Sequence, residues 1–118
     1  MQIARWCTRT LFGVLLCLVV PAYASVDEDL AEETLETNKC LKCHSITKKK
    51  EGPAYKEVAK KYKTKPDAEK TLYKHLTTAP MVEIDGVEEE HKVIKTKVPK
   101  GEKRDQEIYN IIRWILSR

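Results

Sequence analysis

Cysteine and methionine are both scarce in this chain of 118 residues, and each shortage removes a class of protein. Beyond residue 24 only Cys40 and Cys43 carry thiols, so no disulfide framework can staple the fold. Zinc is disfavoured as well: Cys7 and Cys17 lie in a different kind of segment, and His75 and His91 are too far apart for the paired-histidine half of a zinc site. A thioredoxin-like dithiol needs alternating strands and helices around its cysteines, a pattern that is missing here. No apolar run reaches the roughly 20 residues that cross a bilayer. Nucleic-acid binding is not supported, because neither an arginine-rich face nor aromatic residues at a reading surface accompany the basic stretch. Repeats, low-complexity tracts and a second domain are also absent.

Residues 1–24 read as a secretory signal, with Arg5 and Arg9 at a positive start, an apolar run from Leu11 to Val20, and the small-x-small pattern Ala22-Tyr23-Ala24 before the expected cleavage. Leu16, rather than a small residue, precedes Cys17, which disfavours a lipoprotein. The remaining residues 25–118 make one domain, near the size at which a hydrophobic core alone is marginal. Export places that domain in a bacterial periplasm, with no membrane span after cleavage.

The most informative string is Cys40-Leu41-Lys42-Cys43-His44. C-x-x-C-H is the covalent haem-attachment signature, in which two thiols add to the haem vinyl groups and the following imidazole ligates iron. Two intervening residues let one turn of backbone present both sulfurs to neighbouring pyrroles and set His44 beneath the metal. One covalent haem c would then replace the missing disulfides as the staple. Charge is unevenly spread around the motif: ten lysines between Lys39 and Lys65 face only Glu51 and Glu57, whereas Asp27 to Glu36 holds six acids and no base. Lysines crowded at a haem edge would steer an acidic redox partner by raising the encounter rate. The plainer alternative is a solvated lysine-rich surface.

Periodicity predicts four helices. The first runs from about Asp27 to Lys39, with acids in its first turn. The second follows Gly52-Pro53 and carries Tyr55, Val58, Ala59 and Tyr62 on one face, and the third opens at Pro66 and runs towards Pro80 with Ala68, Leu72, His75 and Leu76 in step. The last spans Asp105 to Ser117, with Ile108, Ile111, Ile112 and Ile115 as an apolar stripe that should pack on the first helix. Between Pro80 and Arg104 lies a long non-helical stretch in which Ile84-Asp85-Gly86-Val87 looks like a two-residue hairpin turn.

Together, the amino-terminal helix, C-x-x-C-H, the Gly-Pro-Ala-aromatic segment Gly52 to Tyr55, and a last helix ending Trp114-Ile115-Leu116-Ser117 resemble a class I c-type cytochrome. The resemblance implies an all-α fold of about four helices wrapped around one haem, with a long loop or short hairpin before the last helix. It also implies that Pro53 orients His44 through a backbone hydrogen bond, and that Tyr55 and Trp114 belong to the cofactor's surroundings.

The sixth iron ligand departs from the common pattern, because no methionine stands in the usual place before the last helix. The loop with Asp85-Gly86, His91 and Lys95-Thr96-Lys97 is similar to that of a smaller proteobacterial group carrying histidine there. His91 is the expected distal ligand and Met81 the alternative. A hairpin turning at Asp85-Gly86 sets Met81 opposite Glu90, next to His91, so spacing leaves both in reach; the same register opposes Glu83 to Glu88, a like-charge pair that disfavours the hairpin. His75 fits a core position or a hydrogen bond to a haem propionate.

A second imidazole favours ferric iron, so His91 ligation predicts a lower-potential one-electron carrier. The competing expectation is a binder or sensor of NO or CO with a displaceable distal ligand on a mobile loop. An enzyme is not expected, since no distal acid–base pair is recognisable. Redox-partner proteins are the expected partners, and oligomeric state is left open.

Overall fold

The structure is a computed structural model that describes residues 25–118, so the expected leader over residues 1–24 lies outside the described residues. Helix α1 covers Glu28–Asn38, and the Asp27 carboxylate caps it by accepting the Leu30 N–H at 3.0 Å. Lys39 ends it in the left-handed conformation (φ 54°), with its N–H turned back to the carbonyls of Leu35 and Glu36. That reversal drops the chain directly into a short 3-10 turn, Cys40–Lys42.

Helices α2 (Tyr55–Tyr62) and α3 (Ala68–Thr77) follow. Pro66 sits in the turn before α3 rather than in its first position; Asp67 occupies the N-cap and its carbonyl accepts the Thr71 N–H. The last helix, α4 (Glu102–Leu116), starts three residues earlier than its apolar stripe suggests. Its first turn, Glu102-Lys103-Arg104, is polar on every side, so periodicity carries no trace of it; the helix begins where Gly101 takes φ 87°.

Helix α4 is the common platform, in contact with α1, α2 and α3. Ile108, Ile111 and Ile112 are its fully buried side chains, packed with Ala31 and Leu35 of α1, Tyr55 of α2 and Leu72 of α3. Each such isoleucine contributes about 2–3 kcal/mol of burial. The expected packing of the last helix on the first is thus observed. Helix α3 is fixed on α4 by the Tyr73–Tyr109 ring stack (5.1 Å), by the Tyr73 hydroxyl donating to Asp105 at 2.6 Å, and by the paired Arg113–Glu69 contacts at 3.1 and 3.2 Å.

Strands β1 (Met81–Ile84) and β2 (Val87–Glu90) form an antiparallel hairpin, with Ile84 paired to Val87 and Met81 to Glu90. Asp85 (φ 50°) and Gly86 (φ 82°) supply the two positive-φ residues that a tight hairpin turn needs. The Glu83–Glu88 pair does form, against the argument from like charge. Both carboxylates are exposed to water, where their repulsion is weak, while Val82 and Ile84 are half-buried on the opposite face of β1.

Lys39 is a non-glycine residue in the left-handed region, and a glycine there avoids the Cβ clash. Lys39→Gly is expected to stabilise the haem-loaded protein by about 0.5–1 kcal/mol, read as a higher denaturant midpoint at unchanged slope. An unchanged or lower midpoint refutes it.

Candidate functional site

The 3-10 turn brings the motif together: the Cys43 and His44 N–H groups both donate to the Cys40 carbonyl, at 3.2 and 3.0 Å. Residues after the motif then fold back on it. Gly52 N–H donates to Cys43 O (2.8 Å), Tyr55 N–H to Ser45 O (2.9 Å), and the Lys50 ammonium to Leu41 O (2.7 Å). This return loop presents the Pro53 carbonyl to His44, whose Nδ1 lies 2.8 Å from it. A ring nitrogen facing a carbonyl is the donor, so Nε2 keeps its lone pair.

Gly52 lies against the same ring. A Cβ at this position would come within 2.5 Å of Cε1 and 2.8 Å of Nδ1 of His44, so only glycine fits. Tyr55 stacks on the imidazole (centroids 5.2 Å apart, planes 15° from parallel) and is met edge-on by Trp114 at 5.7 Å. Trp114 is buried; its indole N–H donates to Glu28 at 2.6 Å, and the Arg118 guanidinium covers its ring at 4.2 Å. The ring of His44 is therefore tied through two aromatic contacts to the contact between α1 and α4.

Cys40 and Cys43 are half-buried free thiols. Burial pushes the Cys40 thiol up, while Cys43 is raised chiefly by donating to the Glu51 carboxylate at 3.1 Å. Burial, and then the neighbouring Cys40, push the Tyr55 phenol far up, so it stays protonated.

His91 follows β2 and stands opposite His44, with ring centroids 6.3 Å apart and planes tilted by 54°. Its Nδ1 lies 3.0 Å from the Lys92 carbonyl, which again leaves Nε2 free. The segment carrying it is anchored along its length. His91 N–H donates to Pro80 O, Ile94 N–H to Leu76 O, Lys95 exchanges two hydrogen bonds with the Asn38 amide (2.7 and 2.9 Å), and Lys97 N–H donates to the buried Glu107 carboxylate. His75, on α3, lies beside His91 with ring centroids 4.5 Å apart. Burial lowers the pKa of both imidazoles and keeps them neutral at neutral pH, the form that ligates metals. Met81 stands on β1 and is 55% exposed.

These residues fit a covalent haem. Two free thiols lie in one turn, and the His44 and His91 imidazoles, each with Nδ1 turned to a backbone carbonyl, face one another with centroids 6.3 Å apart. Two metal–imidazole bonds of about 2 Å, with half a ring on each side, span about 6 Å.

A family profile described as cytochrome c matches residues 30–118. The chain belongs to the cytochrome c family. It is a class I c-type cytochrome; haem c is its cofactor and electron transport its class of function. The crystal structure of class 1 cytochrome MtoD from Sideroxydans lithotrophicus ES-1 is similar, with a TM-score of 0.71 and 44% identity over 79% of this chain and 97% of that one. Wild-type cytochrome c552 of Nitrosomonas europaea superposes with a TM-score of 0.54 and 26% identity, over 77% of this chain and 98% of that one. In sequence, the cytochrome c-552 from Nitrosomonas europaea is 45% identical over 51 residues, and that match spans 43% of this chain and less than half (46%) of the relative. Cytochrome c2 from Rhodocyclus tenuis is 33% identical over 70% of this chain and 85% of its own length.

In this cytochrome the sequence-derived candidates Cys40, Cys43, His44, Pro53, Tyr55, His75 and His91 form one connected cluster; Trp114 touches it through Tyr55, and Met81 is exposed on the hairpin, paired with Glu90 next to His91. Missing from the sequence reading are the steric role of Gly52 against His44, the Asn38 amide that holds the distal loop, and Glu107 behind Lys97. Gly52 alone left a signal, as one of only four glycines in the chain. Because the His44 ring is held by Pro53 and Tyr55 and cannot retreat, Gly52→Ala is expected to cost about 1–3 kcal/mol of holoprotein stability in guanidinium unfolding. A midpoint equal to the wild type's would show that the ring is free to move.

Proposed function

We propose that the chain is a periplasmic one-electron carrier whose haem iron is held between His44 and His91. The paired imidazoles 6.3 Å apart carry this reading. When bound, the haem would supply a single-electron ferric–ferrous couple. The protein's share is to hold the two ligands, and it does so by different means. Pro53 and Gly52 fix the His44 ring, and the Nδ1 contact to Pro53 raises the basicity of the coordinating nitrogen. Two such donors stabilise ferric iron and lower the potential relative to a histidine–methionine pair. The exposure of Met81 favours His91 as the distal ligand.

The leader read over residues 1–24 supports the periplasmic location, and the lysines from Lys39 to Lys65 suit an acidic redox partner. A gas-binding role requires His91 to leave iron readily. The backbone hydrogen bonds of His91, Ile94, Lys95 and Lys97 to four separate parts of the fold favour retention instead.

Near-infrared magnetic circular dichroism of the ferric holoprotein separates imidazole from thioether ligation. The expected wild-type spectrum is bis-imidazole, and His91→Ala is expected to lose that band, become high-spin and shift to higher potential. A thioether band in the wild type transfers the role to Met81. Rapid carbon monoxide binding to the ferrous wild type overturns the carrier reading in favour of gas binding.

A further inference from the structure

The two imidazoles facing each other are held very unequally. His44 donates to a carbonyl nine residues away, is faced by a glycine that admits no displacement, and is stacked by a buried tyrosine. The His91 ring has one hydrogen bond, to the carbonyl of the very next residue. That carbonyl belongs to the same backbone segment as the ring and constrains its rotation only weakly. The anchors of residues 91–97 fix the position of the loop, but none acts on the imidazole itself.

What borders the His91 ring is His75. The rings are 4.5 Å apart with planes at 56°, a contact geometry favoured between flat π-systems. The backbone beneath His75 is rigid, because α3 is locked on α4 through Tyr73, Asp105 and the Glu69–Arg113 pair. The next residue, Leu76, accepts the Ile94 N–H, so the two imidazoles rise from backbones that are hydrogen-bonded to one another. His75 thus stands on a held backbone beside the His91 ring and is the nearer of the two rings that face it.

We infer that His75 is a positioning residue that sets the plane of the distal imidazole, and so the angle between the two imidazole planes. This rests on the proposed ligation by His44 and His91. The angle between axial imidazoles governs the g-anisotropy of ferric low-spin haem, and a held ring leaves iron more slowly than a free one.

The test compares full-chain, haem-loaded His75→Ala and His75→Phe with the wild type by ferric electron paramagnetic resonance and by the rate at which cyanide displaces the distal ligand. His75→Ala should shift and broaden the low-field feature and speed displacement by up to about tenfold, the rate equivalent of one lost ring contact. His75→Phe, which restores a flat ring beside His91, should return both towards wild type. Wild-type g-values and rate in His75→Ala overturn the inference, as does equal deviation of both variants. A bis-imidazole band lost in His75→Ala but kept in His91→Ala makes His75 the ligand and overturns both proposals. A thioether band in the wild type defeats the ligation reading itself, which separates the two failures.

Discussion

The contact between His44 Nδ1 and the Pro53 carbonyl is the constraint on which most of this molecule turns. It requires the chain to leave the C-x-x-C-H turn, reverse, and return at van der Waals distance, and Gly52 is the residue that allows so close a return. Once closed, the loop brings Tyr55 onto the imidazole in a stack and starts α2 there. Tyr55 meets Trp114, and Trp114 meets Glu28, so the orientation of one ring is transmitted to the contact between the first and last helices. The core and the cofactor site are in this sense a single packing problem.

The distal side is built by another principle. Its ligand candidate stands on a segment with little regular structure, and order comes from single hydrogen bonds to different helices: Leu76 of α3, Asn38 of α1 and Glu107 of α4 each hold one point. A loop pinned at several points to a common platform keeps its place without packing a core of its own. Of its residues, only Ile94 is buried in the central cluster. The two halves of the site therefore differ in how they resist displacement, one by close packing and the other by dispersed polar anchors.

Much of this was legible in the sequence because it rests on local rules. The acids at Asp27, Glu28 and Asp29 marked the start of α1, the isoleucine spacing marked the face of α4, and Asp85-Gly86 fixed the hairpin register to the residue. What escaped was non-local or without periodicity. The polar first turn of α4 has no apolar stripe to detect. Pro66 carried a helix-start signal that Asp67 took over one residue later. Like charge argued against the hairpin, yet solvent exposure weakens that repulsion. The paired amide contacts of Asn38 with Lys95 and of Asn110 with Asp27 join residues 57 and 83 positions apart, and nothing in the immediate neighbours of either asparagine announces them.

The Asn38 clamp also bears on how the protein ages. An asparagine loses its amide when the backbone nitrogen of the following residue attacks the side-chain carbonyl, and the product carboxylate can no longer donate. In this fold the nitrogen in question, that of Lys39, is held by the last turn of α1 against the carbonyls of Glu36 and Leu35, while the Asn38 amide is held at both ends. Both partners of the deamidation reaction are thereby immobilised in the folded chain and released together when it unfolds. Chemical lifetime at this position is thus coupled to folding.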